Sequence, residues 1–261
     1  MYLRLILELL INLSMISFPN RFLLFLLLFT ACQTQKIRTA EQLIAQSVST
    51  YGFDAERYQI NFDFRDYSYE LEREQGFFSY TRQTIKEGKK ILDLMTSEEK
   101  LKRFQDDSLV SIQDSIQKVY SNSLNSVMYF FQLPKPLQDP AVNPELLSSV
   151  EIKGTSYWTL KITFDQEGGG EDFQDEFRYW INQENNQIDY LAYNYLTDGG
   201  GTRFRVAKNG KKIKGFLFQD YDNYKPQEKW TPLDSLPALY DTEILVKIST
   251  IENKNIVVKI P

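Results

Sequence analysis

Two glycine triplets stand beside carboxylates. The first lies within residues 164–173, FDQEGGGEDF, where Gly168, Gly169 and Gly170 sit among Asp165, Glu167, Glu171, Asp172, Asp175 and Glu176. The second is Gly199, Gly200 and Gly201, within TDGGGTRF. A glycine-rich segment can wrap a phosphate where it joins a strand to a helix N-terminus, often with a lysine following. Clustered carboxylates can hold calcium when their spacing is fixed. Neither triplet is followed by lysine, both fall between runs that read as strands, and the carboxylates lack the spacing of a calcium loop. Both triplets are therefore read as wide turns at one end of a sheet, with glycine supplying positive φ. No metal site and no cofactor is expected. Paired carboxylates also serve glycoside hydrolysis, but acidic pairs at strand ends are common without it.

Three arginines are the other charged candidates. Arg203 and Arg205 share one side of a strand, and Arg178 lies near them if neighbouring strands pair in order. They could grip an anionic group; the competing reading is cross-strand pairing with Asp189 or Glu176. Catalysis is disfavoured by a simple count: the chain has no histidine. That removes Ser-His-Asp and Cys-His nucleophiles, imidazole zinc sites and the side chain best suited to proton transfer near neutrality. The net charge is -5, without the basic stripe that nucleic acid requires, so no nucleic-acid partner is expected.

The single cysteine, Cys32, rules out an intrachain disulfide. It follows Arg21, the apolar run FLLFLLLF over residues 22–29, and the small pair Thr30-Ala31. Base, short apolar run and small residues make a secretory signal, and the run is short of the roughly 20 residues of a membrane span. With a cysteine at the cleavage point the segment resembles a bacterial lipoprotein signal. That resemblance implies that Cys32 is lipidated and becomes the new N-terminus. Residues 1–31 are then a signal peptide, with Met15 expected as the true start, and residues 32–38 a lipidated tether.

The remaining 223 residues, 39–261 by the numbering of the full sequence, must position any site. The pattern of Leu43, Ile44 and Val48 predicts a helix over 39–48, capped by Thr39 and stopped at Tyr51-Gly52. Alternation of Tyr58, Ile60, Phe62 and Phe64 predicts a strand. Further strands are expected over 67–71, 77–85 and 91–95, and a short helix is expected to be capped at 97–100. Residues 114–131 read as a long amphipathic helix ended by Leu133-Pro134. Its end, Met128-Tyr129-Phe130-Phe131, reads as a core-facing terminus, with a mobile plug or a partner surface as the alternatives. Asn143-Pro144 suggests a helical turn. Strands then recur over 157–164, 173–182, 188–196, 202–207 and 213–221, with Asn209-Gly210 as the clearest hairpin signal. A last pair covers 243–248 and 256–260.

This order predicts an α+β, mainly antiparallel β domain, a strongly curved sheet or half-barrel with a few helices covering its apolar concave face. Alternation assigns Trp158, Leu160, Ile162, Phe164, Phe177, Tyr179, Ile181, Tyr190, Phe204 and Val206 to that face, along with Ile188 and Ala192. These are the candidates to line a ligand cavity; a filled core is the competing reading.

Residues 125–130, FDQEGGGEDF, YWIN at 179–182, DYLAY at 189–193 and GGGTRFR resemble a family of uncharacterised lipoproteins of Bacteroidota. Its general plan is similar to that of the LolA/LolB lipoprotein carriers, an analogy of architecture. Together these imply a monomeric, non-enzymatic protein of the bacterial envelope, lipid-anchored at the outer membrane and facing the periplasm. It would bind an apolar ligand, a lipid or a lipoprotein acyl chain. The alternative is a structural or interaction lipoprotein with a filled core. An enzyme of hydrolase or aldolase type is the remote third reading.

Overall fold

A computed structural model describes residues 38–167, 174–196 and 199–260. The signal segment, Cys32, most of the tether, and Gly168, Gly169 and Gly170 lie outside the described residues. Residues 39–261 form one compact unit.

The first helix, α1, spans Ala40–Tyr51. Its capping box is complete: Gln42 N–H donates to Thr39 Oγ1 and Thr39 N–H donates to Gln42 Oε1. It buries Leu43, Ile44, Val48 and Tyr51 and ends at Gly52, whose φ of 78° is left-handed. Four hairpin-linked strands follow: β1 (Arg57–Phe64), β2 (Tyr67–Glu74), β3 (Phe77–Lys86) and β4 (Lys89–Thr96). Two short strands, β5 (Lys102–Gln105) and β6 (Ser108–Val110), then lead into the long helix α2, Asp114–Phe131. No helix forms at residues 97–100. There the Thr96 hydroxyl oxygen accepts from the amides of Glu98 and Glu99 and closes a turn.

The second half is a meander of β7 (Val142–Ile152), β8 (Thr155–Phe164), β9 (Glu176–Asn182), β10 (Ile188–Tyr195), β11 (Gly201–Ile213) and β12 (Phe216–Lys225). Then come a short helix α3 (Leu236–Asp241) and the last strands, β13 (Val246–Ile251) and β14 (Lys254–Lys259). The helical turn expected at Asn143-Pro144 is instead part of β7, where Pro144 pairs with Ile162. β7 is an edge strand, so a proline without N–H is accommodated there. Asn209-Gly210 is likewise no hairpin. It is a bulge inside β11, marked by a register shift between Lys208 and Lys211. The two-residue turn falls at Lys214-Gly215, with φ of 48° and 91°, the positive pair that a type I′ hairpin needs.

The strands make two antiparallel seven-stranded sheets. Sheet I runs β14-β1-β2-β3-β4-β5-β6 and sheet II runs β13-β12-β11-β10-β9-β8-β7. The chain passes from sheet I to sheet II through α2 and returns through residues 252–253, between β13 and β14. Both sheets are open, an arrangement compatible with the expected half-barrel. Their inner faces share one core with α1 and α2. Phe131 of α2 bridges them, with ring centroids 3.6 Å from Phe62 in β1 and 5.3 Å from Phe218 in β12. Sheet II is covered on both faces. Its outer face packs Tyr157, Trp180, Tyr190, Ala192 and Phe204 beneath Leu233, Leu236 and Leu245. The outer face of sheet II thus carries a second, smaller core.

Candidate functional site

The inner face of sheet II is a floor of rings. Phe164 of β8, Phe177 and Tyr179 of β9, and Tyr193 of β10 stand side by side. The Phe164–Phe177 and Phe177–Tyr193 centroids are 5.7 and 5.2 Å apart. The last turn of α2 rests on this floor. Tyr129 lies 6.4 Å from Phe164 and 6.0 Å from Phe177, and Phe130 lies 5.5 Å from Tyr193 and 6.4 Å from Phe177. Leu124, Met128 and Phe131, on another side of the helix, are buried as well. Trp158, Phe164, Tyr193, Tyr129 and Phe130 are only half-buried, so the seam between helix and floor opens to solvent along one margin.

Polar groups on this face are few. The hydroxyls of Tyr129 and Tyr179 are hydrogen-bonded at 2.7 Å. Burial pushes both phenols above their ordinary range, and the neighbouring Tyr129 raises Tyr179 further. Both therefore stay protonated and act as hydrogen-bonding groups rather than as bases. Arg205 of β11 is 8% exposed. Its Nη2 donates to the Tyr193 hydroxyl at 2.7 Å, and its guanidinium carbon lies 3.7 Å from the Phe130 ring centroid. Among the described residues its buried Nε has no hydrogen-bond acceptor.

The three arginines do not converge. Arg203 shares the inner side with Arg205 and donates to Tyr195 and, at 2.9 Å, to the Thr202 carbonyl. Arg178 points to the outer face. There it donates to both carboxylate oxygens of Asp234, at 2.7 and 3.0 Å, and pairs with Glu176 at 2.9 Å. Glu176 lies on the same strand as Arg178, so this is not the expected cross-strand pairing, and Asp189 accepts instead from Tyr157 and Asn182.

Of the ten lining candidates, seven gather on the inner face: Trp158, Leu160, Ile162, Phe164, Phe177, Tyr179 and Ile181. Tyr190, Phe204 and Val206 do not. They belong to the outer cluster under α3, with Tyr190 and Phe204 stacked at 5.7 Å. The cause is an irregularity in β10. Ile188 pairs with Ile181 but Tyr190 pairs with Trp180, so the register shifts at Asp189. One inserted residue reverses the face of every later side chain, and β11 follows because Phe204 pairs with Ala192. Tyr193 consequently joins the floor from what simple alternation makes the opposite side.

A polar latch holds the other half of α2. Asp93 of β4 is almost wholly buried and takes Arg82 at 2.8 Å and Arg103 at 2.7 Å. Arg82 passes on to α2, donating to Ser123 Oγ at 2.8 Å and to the Tyr120 carbonyl. Arg103 stacks 3.5 Å above the Tyr120 ring. Gln117 donates to the Leu101 carbonyl at 2.7 Å. Sequence reading missed this network because its members are scattered over three strands and a helix, and no spacing links them.

Two open hollows, of about 520 and 460 Å³, lie away from the ring floor and are lined largely by charged and polar side chains. Among the described residues no three potential ligands gather as a metal site, and no helix is long and apolar enough to cross a membrane.

Fold and site together define a class: an open, mainly antiparallel β protein whose apolar inner face is plugged by one amphipathic helix. Residues 19–253 match a family described as a family of unknown function, DUF6503, and the chain belongs to it. No curated protein matches. Among solved structures, the chain is similar to a LolA superfamily protein from Nitrosomonas europaea at 13% identity and TM-score 0.43, covering 84% of this chain and 93% of that one. It is also similar to a DUF1329 family protein from Desulfovibrio piger at 11% identity and TM-score 0.40, covering 84% and 92%. A third is a putative outer membrane lipoprotein-sorting protein domain from Vibrio parahaemolyticus, at 8% identity and TM-score 0.38, covering 70% and 86%.

Proposed function

We propose that this protein holds an apolar ligand, a lipid or the acyl chain of a lipoprotein, on the inner face of sheet II, without catalysis. The observation that carries this reading is the half-buried aromatic seam between α2 and the floor formed by Phe164, Phe177, Tyr179 and Tyr193. An apolar face with few polar groups is the usual make-up of a ligand site. Here the end of α2 occupies the place of the ligand. Lifting Tyr129 and Phe130 would open the floor while the Asp93 latch keeps the first turns of the helix attached to sheet I. An acyl chain laid on the rings would replace the apolar contacts that the helix gives up.

The N-terminal segment supports a location. Lipidation at Cys32 would tether residues 39–261 to the envelope, at the outer membrane and facing the periplasm, with the protein acting as a monomer. The second reading, an interaction lipoprotein with a permanently filled core, is favoured by one observation: Leu124 and Met128 of α2 are fully buried. Mass measurement of lipid extracted from the purified full chain separates the two. A stoichiometric lipid is the expected result. A protein that carries none, and takes up none from vesicles, would sink the carrier reading.

A further inference from the structure

Arg205 is out of place in an ordinary core. It lies on the inner face and is almost fully buried. Its guanidinium lies against two aromatic rings, 3.7 Å from the centroid of Phe130 and 5.2 Å from that of Tyr193. Among the described residues the Tyr193 hydroxyl is its one hydrogen-bond acceptor, and its Nε–H is buried with none. Among the described residues it has no carboxylate partner, in contrast to Arg82, Arg103 and Arg178, which are all paired with carboxylates. A buried cation without a counter-ion is costly, and ring contacts offset only part of that cost. An arginine fork also has the geometry to take a carboxylate or phosphate with two parallel hydrogen bonds.

We infer that Arg205, with the Tyr193 hydroxyl beside it, is the headgroup anchor for a single-chain anionic amphiphile, an acyl or alkyl chain ending in a carboxylate or a phosphate. The inference rests on the apolar-ligand reading above and adds a charge requirement to it. Phe130 is the lid of the anchor: it covers the guanidinium in the closed form and leaves it when the end of α2 lifts. The anion then replaces the ring over the guanidinium and accepts from Nε. The chain runs from Tyr193 across Phe177 towards Phe164, along the line of ring contacts that Tyr129 and Phe130 now cover.

The test uses the full chain and three probes with the same sixteen-carbon length (roughly that of a membrane acyl chain): palmitate, hexadecyl phosphate and hexadecanol. Equilibrium dialysis is expected to show at least one of the two anions bound about tenfold or more tightly than the alcohol, the factor typical of one charge-assisted contact. Whichever anion binds more tightly identifies the headgroup. Arg205→Met is expected to bring that anion down to the level of hexadecanol while leaving hexadecanol within about twofold of its original affinity. If Arg205→Met does not fold, Arg205→Lys carries the test. It keeps the charge but loses the fork, so the preference should fall severalfold, and an unchanged preference overturns the role of the guanidinium. Equal binding of all three probes by the unmodified chain overturns the anchor and leaves apolar binding standing. Binding of none overturns both.

Discussion

Single side chains tie this molecule together at points where no substitute has the right atoms. The Tyr51 hydroxyl, at the end of α1, accepts from the Ile188 amide at 3.0 Å and donates to Gln219. It therefore fixes α1 to β10 and β12 at once, and burial raises its pKa well above the ordinary phenol value. Tyr51→Phe keeps the ring but leaves a buried amide unpaired, and should cost about 1–3 kcal/mol in chemical denaturation; an unchanged midpoint would remove this tie from the account. One residue on, Gly52 has φ of 78°, and an added Cβ would lie 2.6 Å from the Gly215 carbonyl oxygen. Backbone faces backbone there, so neither side can give. Gly52→Ala should destabilise by roughly 1–3 kcal/mol, and by more than Gly76→Ser, which also carries positive-φ strain at 92° but whose Cβ would meet no atom within 4 Å. The stop at Gly52 was legible in sequence because helix-ending glycine has a local signature. The role of Gly200 was not. Its missing Cβ makes room for Trp230, whose ring carbon would lie 2.5 Å away, and a partner thirty residues along the chain leaves no local trace.

At the scale of elements, α2 was the most readable segment, since one long 3.6-residue periodicity ended by proline admits few alternatives. What holds it was unreadable. Asp93 sits between two arginines and is 1% exposed. Asp93→Ala would leave both guanidinium groups without their buried counter-ion, at a cost of about 3–5 kcal/mol. Denaturation would measure that loss, and faster hydrogen exchange over residues 114–123 would show that the latch is the part released. Strand faces were legible wherever alternation was unbroken, as in β8 and β9. They were lost after Asp189, where one extra residue reversed β10 and with it the assignment of β11. Turn chemistry misled in the same way at Asn209-Gly210, because positive φ serves a bulge as well as a hairpin.

The edge between β12 and β13 makes a separate, pH-dependent prediction. Asp222 accepts from Lys208 and Lys247, both at 2.9 Å, and from Thr250. Burial alone would raise its carboxyl, but these three donors outweigh burial and bring it to about 2 from an ordinary 3.8. A depressed carboxylate contributes stability that is complete above its unfolded value and is lost as pH falls towards its folded value. Thermal stability should therefore fall between about pH 4 and pH 2, and Asp222→Asn should flatten that part of the curve. An identical slope in the variant would assign the acid sensitivity to other groups.

For the whole molecule, the order of strands and helices was enough to give mainly antiparallel β with helices over an apolar face. It did not give the division into two seven-stranded sheets sharing one core, because strand pairing across that core depends on contacts far apart in sequence. Nor did it show that sheet II would be covered twice, since α3 is a six-residue helix inside a proline-bearing loop. The central claim is that the end of α2 and an apolar ligand compete for the same ring floor. Hydrogen exchange of the full chain, with and without saturating palmitate or hexadecanol, tests it most directly. The account predicts that amides 124–131 exchange faster when the ligand is bound, while those of α1 are unchanged. A ligand that binds and leaves α2 equally or better protected would contradict it.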